Sequence, residues 1–141
     1  MNELERARAC ADKMYNDDRA TKALGIEVDV PSPGAAVATM RVREDMVNGV
    51  NICHGGLMFT LADTAFAFAC NAYDDLTVAA SGTIEFLRPV NLDDELRAVA
   101  HEDYRGRRSG LYTVEVFNQK DQLVALFRGR SASRKKRLLQ G

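Results

Sequence analysis

Apolar side chains at Leu4, Ala7, Cys10, Ala11 and Met14 recur at helical spacing and predict a helix over residues 3–15. The turn-like Asn16-Asp17-Asp18 closes it. Ala23-Leu24-Gly25-Ile26 leads into an extended run over 27–30, and Pro31-Ser32-Pro33-Gly34 reads as a turn. Residues 35–43 then alternate. Ala36, Ala38, Met40 and Val42 share one face, while Val37, Thr39, Arg41 and Arg43 share the other, as in a half-buried strand. Residues 44–54 keep neither period, and Asn48, Gly49, Asn51 and His54 mark an irregular loop. Gly55-Gly56 ends that loop. The following run, Leu57 to Ala72, has twelve apolar residues of sixteen and a single charge. A helix apolar on nearly every side belongs at the centre of a fold or in an interface.

The second half changes texture. Four β-rich runs span 77–87, 95–104, 110–118 and 122–132, with turns at Arg105-Gly106-Arg107-Arg108 and Asn118-Gln119-Lys120-Asp121. One interior helix cannot supply the crossovers of a parallel sheet. The pattern therefore predicts an α+β fold, a long central helix packed on an antiparallel sheet of five or six strands. Residues 1–141 read as a single domain, with an N-terminal helical segment (1–18) and a basic tail (133–141) expected to be loose.

Composition narrows the classes of function. The chain has 141 residues, 46% hydrophobic and 28% charged, as in a globular domain. A net charge of −1, the absence of Trp and an aromatic content of 7% argue against a nucleic-acid partner. The 16-residue apolar run carries Asp63 at its centre, too short and too polar for a membrane span. Cys10, Cys53 and Cys70 are odd in number and form no CxxC pair, which suits reduced thiols in a cytoplasmic protein. The two histidines, His54 and His101, form no ligand pair, so no metal is expected.

Asp63 is the main chemical oddity. Its neighbours Leu61, Ala62, Thr64, Ala65, Phe66 and Ala67 would strip water from a carboxylate, which then must be paired, protonated or used as a base or nucleophile. The plain alternative puts it on the one wet edge of the helix. The second oddity is His54-Gly55-Gly56, where two glycines before a long helix leave backbone N–H groups bare beside its positive end. Such a place suits a polarised carbonyl, although Gly-Gly also serves as a plain turn. Gly55 and Asp63 lie about 12 Å apart on one helix, too far to touch one carbonyl together. A second copy could bring its Asp63 to the first copy's Gly55, giving a site shared across a dimer. Cys53 beside His54 suggests a Cys/His hydrolase, but sequence neighbours seldom face each other. Arg88, Arg105, Arg107 and Arg108 are candidate contacts for a phosphorylated small ligand. Phe59, Phe66 and Phe68 are candidates for an aromatic pocket or for plain core.

The words Asn48-Gly49-Val50-Asn51-Ile52-Cys53-His54-Gly55-Gly56 and Leu61-Ala62-Asp63-Thr64-Ala65-Phe66-Ala67 resemble the hotdog-fold thioesterases. Ala23-Leu24-Gly25-Ile26, Phe86-Leu87-Arg88-Pro89 and Ala125-Leu126-Phe127-Arg128-Gly129 are similar to the phenylacetate-degradation (PaaI-type) acyl-CoA thioesterases. The resemblance implies a sheet wrapped around the central helix and hydrolysis of aryl-type thioesters, such as phenylacetyl-CoA or hydroxyphenylacetyl-CoA. In that family Asp63 would be the general base or nucleophile. The Gly55 N–H would polarise the carbonyl, Asn48 would lie near the thioester and the water with His54 as its supporting neighbour, and the Ser81 hydroxyl would help to hold the water. Gly56, Arg88, Arg105, Arg107 and Arg108 would contact substrate or coenzyme A. Gly55 and Asn48 would come from one subunit and Asp63 and Ser81 from the other, in a dimer or a dimer of dimers (a homotetramer). Coenzyme A is part of the substrate, and no separate cofactor is implied. Two alternatives remain at this point: a hotdog 3-hydroxyacyl-thioester dehydratase using His54 and Asp63, although an HFPxxP-like loop is lacking, and a non-catalytic acyl-CoA binding module.

Overall fold

In the computed structural model, which describes residues 1–140, the chain forms three α-helices and six strands. Helix α1 (Glu3–Asp17) starts at a reciprocal cap. Asn2 Oδ1 accepts from the Glu5 N–H at 2.8 Å, and Glu5 Oε1 accepts from the Asn2 N–H at 3.2 Å. Asp18 ends α1 and begins α2 (Arg19–Ala23), its carboxylate accepting from the Thr21 N–H and hydroxyl. This short helix is absent from the hydrophobic pattern because five residues are too few to display a period.

Strand β1 (Glu27–Ser32) runs on through Pro31 and Ser32, so only Pro33 and Gly34 turn, not the four residues expected. Gly34 takes the left-handed φ of +82° that the tight return needs. Proline is tolerated because β1 lies at the sheet edge, where a missing N–H breaks no ladder bond. Strand β2 (Ala35–Arg41) follows, then a 3-10 turn (Glu44–Met46) and a narrow loop closed by a bridge between Val47 and Cys53.

Helix α3 spans Gly55–Cys70, starting two residues earlier than the apolar run because both glycines join it. Strands β3 (Thr77–Phe86), β4 (Glu95–Arg105), β5 (Ser109–Phe117) and β6 (Leu123–Ser133) complete an antiparallel sheet of order β1-β2-β4-β5-β6-β3. Two rows of side chains cross it. One is Ala38-Ala98-Val116-Ala125 and the other Ala36-Ala100-Val114-Phe127. All eight are buried. The alanines on β2 and β4 let α3 approach closely. Phe127 fills the deeper β6 side, where it meets Phe66 and Phe59 at ring-centroid distances of 5.7 and 5.3 Å.

Two features of this arrangement matter for function. The strand that follows α3 crosses to the far edge, so β3 pairs only with β6 and leaves Val78 to Thr83 exposed. A bulge between Ala79 and Ser81 breaks its register beside that run. The basic tail, in turn, is not loose. The Arg134 N–H donates to Leu76 O and the Leu76 N–H to Lys136 O, both at 2.8 Å. Arg137 donates to Asp74 Oδ2 at 2.6 and 2.7 Å, and the Leu139 N–H to Asp74 Oδ1 at 2.7 Å. The expectation of a free tail fails because Asp74, only 8% exposed, needs these partners. Gly141 lies outside the described residues.

Candidate active site

The loop between β2 and α3 is built around Asn48. Its Oδ1 accepts from the Val50 and Ile52 N–H groups, each at 3.0 Å. That double acceptance fixes which way the amide faces and leaves its Nδ2 hydrogens unclaimed among the described residues. Asn51 adopts the left-handed φ of 62° that lets so short a loop return. The His54 N–H donates to Met46 O at 2.9 Å, and the His54 carbonyl accepts from the Leu57 N–H at 3.0 Å. His54 therefore caps α3 through its backbone, and its exposed side chain makes no cap bond.

Beyond that cap, the N–H groups of Gly55 and Gly56 have no acceptor among the described residues. They point from the positive end of α3. Gly55 borders a cavity of about 460 Å³ together with Met58, Phe86, Arg88 and Pro89. The Phe86 ring lies against it, so that a Cβ on Gly55 would stand 2.7 Å from Phe86 Cζ. The segment Phe86-Leu87-Arg88-Pro89 carries part of the family resemblance, but its contact with Gly55 was not legible in the sequence, since the two lie on different elements.

Asp63, Phe66, Ala67 and Cys70 stand at positions i, i+3, i+4 and i+7 and form one stripe of α3. The stripe faces a separate cavity of about 260 Å³, walled further by Met14, Leu76, Val78 and Leu138. Asp63 is half-buried there and makes no hydrogen bond within the described chain. Burial pushes its carboxyl above the ordinary carboxylate range. It is neither a wet-edge residue nor a paired one.

The remaining candidates divide. Ser81 lies exposed on the β3 edge, next to the bulge. Arg88 shares the Gly55 cavity, whereas Arg105, Arg107 and Arg108 line a small pocket at the other end of α3 with Ser131 and Ser133. That pocket touches Cys70 and Thr77, which also border the Asp63 cavity. Arg105 stacks on the Tyr73 ring at 3.7 Å. Phe66 borders the Asp63 cavity, Phe68 faces a groove beside α1, and Phe59 packs on Phe127. Cys53 is buried and its thiol is pushed up by desolvation, while His54 is exposed, so the two form no catalytic pair. No group of three or more His, Cys, Asp or Glu suited to a metal exists among the described residues. No helix among them is long and apolar enough to cross a membrane.

A six-stranded antiparallel sheet wrapped around one long central helix is the hotdog architecture. Residues 50–125 match the model of the thioesterase superfamily, and the chain belongs to that family. It is 48% identical over 121 residues to the acyl-coenzyme A thioesterase PaaI of Escherichia coli K12, covering 86% of each chain. It superposes on the structure of the E. coli PaaI protein from the phenylacetic acid degradation operon with a TM-score of 0.94 and 43% identity, covering 96% of this chain and 99% of that one. The structure of smu.793 from Streptococcus mutans, bound to acetyl-CoA, is 25% identical with a TM-score of 0.75 and covers 79% and 90%.

Proposed function

We propose that the chain hydrolyses aryl-acyl-CoA thioesters at a site completed by a second copy. The observation that carries this is the separation of Gly55 and Asp63 into different cavities of one chain. Each half is incomplete alone. The Gly55 side offers bare N–H donors to a carbonyl oxygen whose charge grows as the thioester is attacked. The Asp63 side offers an undersolvated carboxylate to the water, or to the carbonyl carbon itself. The exposed edge of β3, with Val78 at 42% and Phe86 at 52% exposure, supports strand pairing with another copy. Such pairing would bring Ser81 and Asp63 of one copy towards Gly55 and Asn48 of the other, and a dimer of dimers extends the same scheme.

In this reading the Asn48 Nδ2 and Gly55 N–H groups hold the carbonyl oxygen, His54 shapes the helix start, and Ser81 helps to hold the water. Gly56 and Arg88 meet coenzyme A from the Gly55 side. Arg107 and Arg108, with Arg105 behind them, meet its phosphates from the Asp63 side. The acetyl-CoA bound to the smu.793 protein supports coenzyme A recognition on this fold. The likeness to the PaaI thioesterase supports hydrolysis over dehydration or simple binding, and an aromatic acid as the acyl part. Three buried free cysteines support a cytoplasmic setting. The test is thiol release from a panel of aromatic and aliphatic acyl-CoAs. Faster turnover of phenylacetyl-CoA and its hydroxylated forms is expected, and a preference for straight-chain acyl-CoAs would overturn the aryl assignment.

A further inference from the structure

The tail that closes the Asp63 cavity belongs to none of the motifs above. Leu138 is half-buried and lines that cavity together with Asp63 and with Met14 of α1. Both residues lie outside the stretch matched by the family model, residues 50–125.

Leu138 is also held on both sides. The carboxylate of Asp74 binds the Arg137 side chain through one oxygen and the Leu139 N–H through the other. Residues immediately before and after Leu138 are thus tied to one buried group. The backbone bonds between Leu76 and residues 134 and 136 tie the same strap to the start of β3. Tight anchoring of an apolar side chain over a cavity that contains a functional carboxylate fixes the cavity's size.

Resting on the proposed thioester hydrolysis at Asp63, and taking the apolar cavity beside that carboxylate as the place of the acyl group, we infer that Leu138 is a specificity-determining residue that sets the largest acyl group accepted. The volume suits an aromatic acyl group. A cavity of about 150 Å³ holds a benzene molecule, and this one, near 260 Å³, has room for a ring and its linker. Apolar walls from Met14, Phe66, Val78 and Leu138 suit an aromatic group without hydrogen-bonding demands.

The test compares kcat/KM for acetyl-, phenylacetyl- and naphthylacetyl-CoA in the full-length protein and its Leu138→Ala, Leu138→Phe and Arg137→Ala variants. Leu138→Ala is expected to raise the naphthylacetyl-to-phenylacetyl ratio roughly tenfold. Leu138→Phe is expected to lower the phenylacetyl-to-acetyl ratio by a similar factor. Arg137→Ala, which loosens the strap but keeps Leu138, is expected to move the first ratio in the same direction by less. Ratios that stay fixed in all three variants, or rates that change in proportion for every substrate, would overturn the inference. Asp63→Asn is measured beside them. Near-normal turnover there counts against the catalytic reading of the site, whereas an inactive Asp63→Asn with unmoved ratios counts against Leu138 alone.

Discussion

Gly55 and Asp63 stand eight residues apart on α3 and open into different cavities. The glycine amide lacks an acceptor and the carboxylate lacks a donor, yet about 12 Å of helix keeps them from meeting. Both are therefore available to something outside the chain, and α3 is held too firmly by its buried faces to bend them together.

Asp63 carries opposite consequences for turnover and for stability. Asp63→Asn keeps the shape and removes the base or nucleophile, so thiol release should fall at least about 100-fold. Burial raises the carboxyl's folded pKa, so the fold favours its protonated form. The stability linked to that proton is present at acid pH and is lost as pH rises through the folded pKa. At pH 7 the ionised form is thus the less stable one, and Asp63→Asn should raise Tm there by about 2–4 °C. The gain should shrink as pH falls into the ordinary carboxylate range. The acid limb of the wild-type rate profile should likewise lie above that range. Scanning calorimetry and a pH–rate series check both signs.

Gly55 should resist substitution because of Phe86. An added Cβ lies 2.7 Å from the exposed ring, so the ring must swing aside or the amide must shift. Gly55→Ala is expected to lower kcat/KM about 10-fold with little loss of helix by circular dichroism. Adding Phe86→Ala should recover part of that loss. Equal rates in the single and double variants would show that the ring is not the obstacle.

Cys53 should be chemically quiet. Its thiol is buried and pushed up by desolvation, so little thiolate exists at neutral pH. Iodoacetamide is expected to leave turnover unchanged over an hour, and Cys53→Ala to keep activity within about threefold. Rapid inactivation by the reagent would reopen the Cys/His mechanism.

The strap makes its own prediction. Bonds from the Leu139 N–H and Arg137 hold the Asp74 carboxyl below the ordinary range. A lowered folded pKa adds stability above the unfolded pKa, and that stability is lost as pH falls through the folded value. Arg137→Ala should therefore lower Tm by about 2–5 °C at pH 7, with the difference closing in strong acid. Hydrogen exchange at Leu139 should quicken in the variant, and an unchanged rate would contradict the anchoring.

Much of this was legible in the chain. Alternating and β-rich runs located all six strands to within two residues, β1 being read short at Pro31. The lone charge in an apolar helix singled out Asp63, and Gly-Gly marked the helix entry. What escaped depends on long-range contact. Phe86 reaches Gly55 from another element. Leu138 sits among Arg134, Lys135, Lys136 and Arg137, whose charges suggested a free end. The buried Asp74 that pins them is invisible until the fold brings residues 74 and 137 together. The adjacent Leu138-Leu139 pair was the available signal that this tail packs.

The shared site is tested most directly by mixing Asp63→Asn with Gly55→Val, each folded and inactive alone, after unfolding and refolding them together. In a symmetric pair a mixed dimer rebuilds one intact site from the Gly55 of one copy and the Asp63 of the other. Thiol release at about one quarter of the wild-type rate per dimer is expected for an equal mixture. A mixture as inactive as its two components would contradict a site built from two chains.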